Sequence, residues 1–433
     1  MKTLVLILIL QFAFILSFAQ NEDDEYFRED YLRNTNYIYK DNIKSALLYK
    51  EGFEMAQPIV SLNSNDKLIF SFDDLNGDYE KYEYTVVHCD ADWNESDLMF
   101  NEYLDTFQSD YVEEFQFAVN TMQDYTHYQG YIPNDVIRWR LSGNYLLKVY
   151  VSGDPDDVLF TRRFYVMDPK VTMQANVKVP SKIDDRKHKQ EVVFAIGTQG
   201  FPISDPYREI IVTIMQNGRL DNAITDLQPR EVRGNELVYN YDGVNVFDGG
   251  SGFRYFDMKS LRYNSMRVKA IEYAPQTGYQ VYLHDDKVKK KNVYENIQES
   301  MNGRYLIKSE DMNYTDFESD YAMVHFFLPY DTPLIQGKLY LYGGLTDWQY
   351  LPENELTYDY EAGGFRASIF LKQGYYNYQY MLLPNDSKIG DVTLIEGNFF
   401  QTNNEYTIFV YYRPRGGRYD QLVNVLSMLS HPN

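Results

Sequence analysis

His88 and Cys89 stand side by side, and Asp90, Asp92, Asn94 and Ser96 then place an oxygen at every second position. A second imidazole follows at His127. These residue types suggest two chemistries. A thiolate nucleophile needs a base within reach, and His88 or His127 would supply it. Alternating carboxylate, amide and hydroxyl oxygens are the hard ligands that calcium takes. Paired carboxylates also suit general acid–base work. A chain with 63 acidic residues contains such pairs everywhere, so they single out nothing.

Spacing weighs against both. Tyr82 to Cys89 reads as an alternating strand, with Tyr82, Tyr84, Val86 and His88 on one face and Glu83, Thr85, Val87 and Cys89 on the other. Neighbours in a strand point to opposite faces, so His88 cannot serve Cys89 directly. Only the fold could bring His127 to it. A lone Cys among strand residues is expected to be buried as a small hydrophobe. A calcium loop of the EF-hand type wants Gly where Glu95 stands and Glu where Asn101 stands. An Asx-turn leaving the strand is the expected form of Asp90 to Ser96, with calcium left open.

A third chemistry is sugar binding. Trp348 follows a glycine turn, and Tyr375, Tyr376, Tyr378 and Tyr380 share one strand region, so aromatic faces could stack on carbohydrate. Trp348 and Tyr376 are the candidate ligand or partner contacts. Alternate tyrosines filling a sandwich core is the preferred account, since aromatics chiefly supply buried area. The glycine-rich run Asp248 to Gly252 lacks a strand-to-helix setting and a basic partner, which excludes a phosphate cradle. No serine sits in a nucleophile elbow.

The elements that must position these residues are strands. Leu68, Phe70 and Phe72 alternate with Ile69 and Ser71, the period-2 sign of a sheet with one buried face. Leu141-Ser142-Gly143-Asn144-Tyr145 leading into a strand matches the tyrosine corner of immunoglobulin-like sandwiches. Leu371 to Tyr376 echoes it. Asn101 to Met122 reads as a long connection with a short helix. The expectation is all-β, with tandem immunoglobulin-like or fibronectin-like sandwiches. The expected division is a leader over 1–19, sandwiches over 20–168 and 318–412, a middle β-rich unit over 169–317, and a tail over 413–433 with weak helical character at Gln421 to Leu429. A polar stretch opening with Lys287, Lys289, Lys290 and Lys291 precedes the third unit.

Composition agrees with that class. The 42 tyrosines and 26 phenylalanines favour pleated surfaces. A single cysteine permits no internal disulfide. Met1-Lys2-Thr3, an apolar run from Leu4 to Leu16 and Ser17-Phe18-Ala19 form a secretory leader with cleavage before Gln20. The expectation is therefore an exported protein without direct membrane insertion. A net charge of −22 excludes a nucleic-acid partner, whose phosphates need a basic surface, and disfavours anionic lipid.

Val87-His88-Cys89-Asp90-Ala91-Asp92-Trp93, with Ser96 and Leu98, resembles the signature of the type IX secretion system plug protein family of Bacteroidota. So do Tyr125-Thr126-His127-Tyr128, Pro133-Asn134, Ser142-Gly143-Asn144-Tyr145 and Thr161-Arg162-Arg163-Phe164. Gln216-Asn217, Phe253-Arg254, Phe256-Asp257 and Lys372-Gln373-Gly374-Tyr375-Tyr376 continue the likeness in order along the chain. The resemblance implies a non-enzymatic periplasmic protein, without cofactor or metal, that closes the periplasmic mouth of a large outer-membrane translocon β-barrel when no cargo is present. It supplies no catalytic motif. His88, Cys89, Trp93, His127, Tyr128, Gly143, Tyr145, Arg162 and Arg163 are the expected structural signature, and an extracytoplasmic carbohydrate-binding sandwich is the alternative.

Overall fold

The structure is a computed structural model and describes residues 32–289, 294 and 300–431. The expected leader, and Lys290 and Lys291 of the basic tetrad, lie outside the described residues. Nearly all regular structure is strand, in largely antiparallel sheets that face each other in pairs around three hydrophobic cores, with parallel pairs only at Ile59–Ser61 and between Gly278–Leu283 and Tyr321–Pro329 among the described strands. No helix among the described residues is long and apolar enough to cross a membrane.

The first sandwich contains the signature strand. One sheet runs Tyr37–Ile38, Val158–Met167, Gly143–Val151, Tyr82–Cys89, Ser109–Tyr111. The other runs Ile43–Lys50, Leu68–Asp74, Thr126–Ile132, Glu114–Phe117. The alternation expected at Leu68 puts Phe70 and Phe72 into the core, where they meet Tyr84, Tyr82, Tyr128 and Phe160. Each such fully buried aromatic contributes about 1.5–3 kcal/mol by leaving water. The tyrosine corner is present, with the Tyr145 hydroxyl donating to the Leu141 carbonyl at 2.8 Å. The connection after Leu98 holds a short helix, Phe100–Tyr103, as expected, and two short edge strands.

The other two sandwiches are arranged differently from the expected division. Arg254–Asp257, Val268–Ala274 and Gly278–Leu283 do not belong with the middle unit. Phe256, Val268 and Val281 share a core with Val324, Phe326, Tyr378 and Tyr380, so the third sandwich begins some sixty residues before 318. Its end also moves. Glu405–Tyr412, expected to close the third unit, pairs with Ile210–Gln216 of the second. Gln421–Leu429, expected as a weakly helical tail, is a strand paired with Glu405–Tyr412, and Leu422 and Val423 are fully buried. A bulge at Val423 interrupts the strand period, and Leu422 and Val423 are buried in different clusters, so no simple alternation announced this strand. The third sandwich is therefore inserted between the strands of the second.

A second tyrosine corner stands in the third sandwich. The Tyr376 hydroxyl donates to the Lys372 carbonyl at 2.5 Å, so Lys372-x-Gly374-x-Tyr376 repeats the spacing of Leu141-x-Gly143-x-Tyr145.

Candidate functional site

His88 is wholly buried on the core face of its strand. Its Nε2 faces the Ser142 carbonyl at 3.3 Å, which can only accept, so that nitrogen carries the proton. Nδ1 then accepts from the Ser96 hydroxyl at 2.9 Å. Burial holds the imidazole at a pKa of about 4, neutral at ordinary pH. Cys89 points the other way and is also buried. Burial pushes its thiol up to about 12, far from a nucleophile. His127 lies in the opposite sheet and is committed to Asp73. The structure brings no imidazole to Cys89.

The loop after Cys89 is a joint with the second sandwich. The Asp92 carboxylate accepts from the Asn94 backbone at 3.0 Å, the expected Asx-turn. Asp90 pairs with Arg413 at 2.7 Å and receives the Asp420 amide at 3.2 Å, while Asp420 accepts from Ala91 N–H at 2.9 Å. Ser96 is spent on His88. The Asp90 and Asp92 carboxylates that suggested calcium are thus engaged by protein donors. Asn144 bridges the same joint, donating to the Asp90 carbonyl and accepting from the Tyr411 hydroxyl. Gly143 is required here, because a Cβ would come within 2.4 Å of His88 Nε2. Trp93 meets Tyr165 edge to face, with the Arg163 guanidinium 4.1 Å above its ring, and Tyr165 stacks on Phe409 of the second sandwich.

A buried ionic cluster joins the first sandwich to the third. Asp73 receives His127 Nδ1 at 2.6 Å, Lys372 Nζ at 2.5 Å and the Tyr321 hydroxyl at 2.5 Å. Burial alone would raise Asp73, but Lys372 and His127 outweigh it and hold the carboxyl below its ordinary value. Lys372 also donates to the Asp316 carbonyl and lies over Tyr125. Along the same seam Asp320 accepts the backbone amides of Met122 and Gln123. Arg162 adds a second bridge, donating to the Ala46 carbonyl within the first sandwich and pairing with Asp347 of the third at 3.1 Å. Arg163 anchors the N-terminal segment through the Asn34 carbonyl. Tyr128 is a core residue stacked on Phe72.

The second and third sandwiches are tied the same way. Asp221 pairs with Arg219 at 2.8 Å and accepts the Tyr342 and Tyr350 hydroxyls at 2.9 and 2.7 Å. Arg304 clamps Glu405 with both terminal nitrogens. Asp73, Lys372, Asp347, Asp221 and Asp420 were not singled out by the sequence. Only Lys372 had a signal, because it opens the Lys-Gln-Gly-Tyr-Tyr run.

Of the two candidate sugar contacts, Tyr376 offers no stacking platform. Tyr376 is 2% exposed and stacks between Phe256 and Tyr305 in the core. Trp348 is half-buried and meets Phe253 and Tyr342 edge to face. Alternation put Tyr376, Tyr378 and Tyr380 on the core face, where packing consumes their rings.

The family profile described as "Type 9 secretion system plug protein 1st domain" matches residues 43–168. A crystal structure of a hypothetical protein from Parabacteroides merdae ATCC 43184 superposes with a TM-score of 0.89. It is 36% identical over 92% of this chain and 100% of that one. This chain belongs to the type IX secretion system plug family. No curated protein matches it. The plug family is a component of secretion machinery and not an enzyme family. The profile covers most of the first sandwich, within which Ala91, Asp73 and Arg162 bond to the other two sandwiches.

Proposed function

We propose that this protein is a periplasmic subunit of the type IX secretion system that closes the periplasmic opening of the outer-membrane translocon barrel when no cargo occupies it. The observation that carries the reading is the way the family signature is spent. His127, Arg162, Trp93 and Gly143 make no catalytic centre and fasten three sandwiches into one body. A stopper must resist deformation without doing chemistry, and the charge clusters buried at the seams with the third sandwich supply that resistance. Opening a seam would expose paired charges or strand one of them, at a cost of about 3–5 kcal/mol per broken buried pair. A surface of net charge −22 suits reversible, salt-sensitive docking better than a large apolar interface would. Periplasmic placement rests on the leader expected from the sequence.

The test is affinity purification of the translocon barrel from cells with cargo export blocked. This protein is expected in the cargo-free complex and depleted from cargo-loaded ones. Its absence from the cargo-free barrel would overturn the reading.

A further inference from the structure

From Tyr82 to Ile137 the chain carries twelve carboxylates and not one Lys or Arg, more than half of the protein's net negative charge. The same stretch holds an unusual share of exposed apolar side chains, including Phe107, Phe115, Phe117, Val119 and Met122. Both features converge on Glu114–Phe117. This strand is the edge of its sheet, pairs only with Thr126–Ile132 among the described strands, and is exposed at every residue. Long apolar edges are normally covered or charged, because open backbone groups invite another strand.

The two faces of that edge differ. Phe115 and Phe117 lie on the core side, opposite buried Tyr128 and Thr126. Phe115 meets Tyr128 at 6.0 Å, Tyr79 at 4.7 Å and Phe117 at 5.6 Å. The core of the first sandwich therefore runs out uncovered at this edge, ending in rings that are 36%, 53% and 48% exposed at Phe115, Tyr79 and Phe117. On the other face lie Glu114 and Gln116, and the cleft of about 390 Å³ beside them is lined also by Glu113, His127 and Asp316 and by the rings of Phe115 and Phe317. Glu113, Glu114 and Asp316 are exposed, and no ion pair forms at their side chains among the described residues.

The geometry points to Glu114–Phe117 as the docking edge for an extended segment of the translocon barrel protein whose side chains alternate apolar and basic. Strand addition would supply the main-chain bonds. Apolar residues of the incoming segment would cover Phe115, Phe117 and Tyr79, and every second residue, Lys or Arg, would enter the cleft beside Glu114 and Asp316. Charge decides the occupant: a second copy of this chain would bring the same acidic stretch and be repelled. The inference rests on the proposed plug function, from which it takes the barrel as partner.

The experiment is co-purification with the tagged cargo-free barrel, using three full-length variants with unchanged melting temperatures. Phe115→Glu with Phe117→Glu removes the apolar half, Glu113→Lys with Glu114→Lys reverses the charged half, and Tyr360→Glu alters an exposed ring of the third sandwich. The first two are expected to lower recovery about tenfold or more, with the third unchanged. Recovery of either of the first two at the wild-type level, or an equal loss in the third, would overturn the docking edge and leave the plug reading standing. Failure of the wild-type protein itself to co-purify would overturn the plug reading.

Discussion

Cys89 and His88 illustrate how burial decides chemistry at a single position. With its thiol pushed up to about 12 and its side chain enclosed, Cys89 is expected to resist iodoacetamide at pH 8 and to react only once the protein is unfolded, as mass spectrometry of native and denatured samples would register. His88 has a measurable thermodynamic consequence. Its pKa falls from 6.5 unfolded to about 4 folded, so the unfolded state binds more protons in between. The contribution is fully present above about pH 6.5 and is lost as pH falls towards 4, amounting to about 3 kcal/mol. Urea titrations at several pH values should show that slope in the wild type and a flatter one in His88→Gln. An unchanged slope would mean that the imidazole titrates freely.

At the scale of elements, the seams matter more than the strands. Lys372→Met would leave the Asp73 carboxylate buried beside only His127 and Tyr321, at a cost of about 3–5 kcal/mol. Adding Asp73→Asn should recover part of it, and denaturant midpoints of the four proteins would give the coupling. Additive losses would mean that the pair is not a unit. The seams also mark where sequence reading stops. Both tyrosine corners were legible because hydroxyl and carbonyl are four residues apart, inside one local pattern. The opposed faces of His88 and Cys89 and the Asx-turn at Asp92 were legible for the same reason. Asp73 and Lys372 stand 299 residues apart, and nothing around either announces the other. The core tyrosines allowed two readings, of which packing was preferred, since a strand rich in aromatic rings can serve as platform or as core and its partner sheet decides between them.

The molecule as a whole is three sandwiches in which the third interrupts the second. Local alternation identified strands such as Leu68–Asp74 and Tyr82–Cys89, yet it carries no information about which strand pairs with which, and so Glu405–Tyr412 was given to the wrong core. A chain ending at Tyr412 keeps everything that the sequence seemed to require, but it uncovers Phe409 and Tyr411 and removes buried Leu422 and Val423. It is expected to lose soluble yield and cooperative thermal unfolding; a melt like that of the full chain would refute this account of the final hairpin. The interruption also bears on the order of events at synthesis. The first sandwich is complete once its own residues emerge, whereas Gln216 waits 190 residues for the Tyr406 hydroxyl it bonds. A chain halted before Glu405 therefore leaves bare the flank of Ile210–Gln216 on which Glu405–Tyr412 pairs, an open strand edge of the kind that invites aggregation. Only with Glu405–Leu429 in place does the second sandwich close, so its integrity is decided by strands that lie on the far side of a whole inserted sandwich.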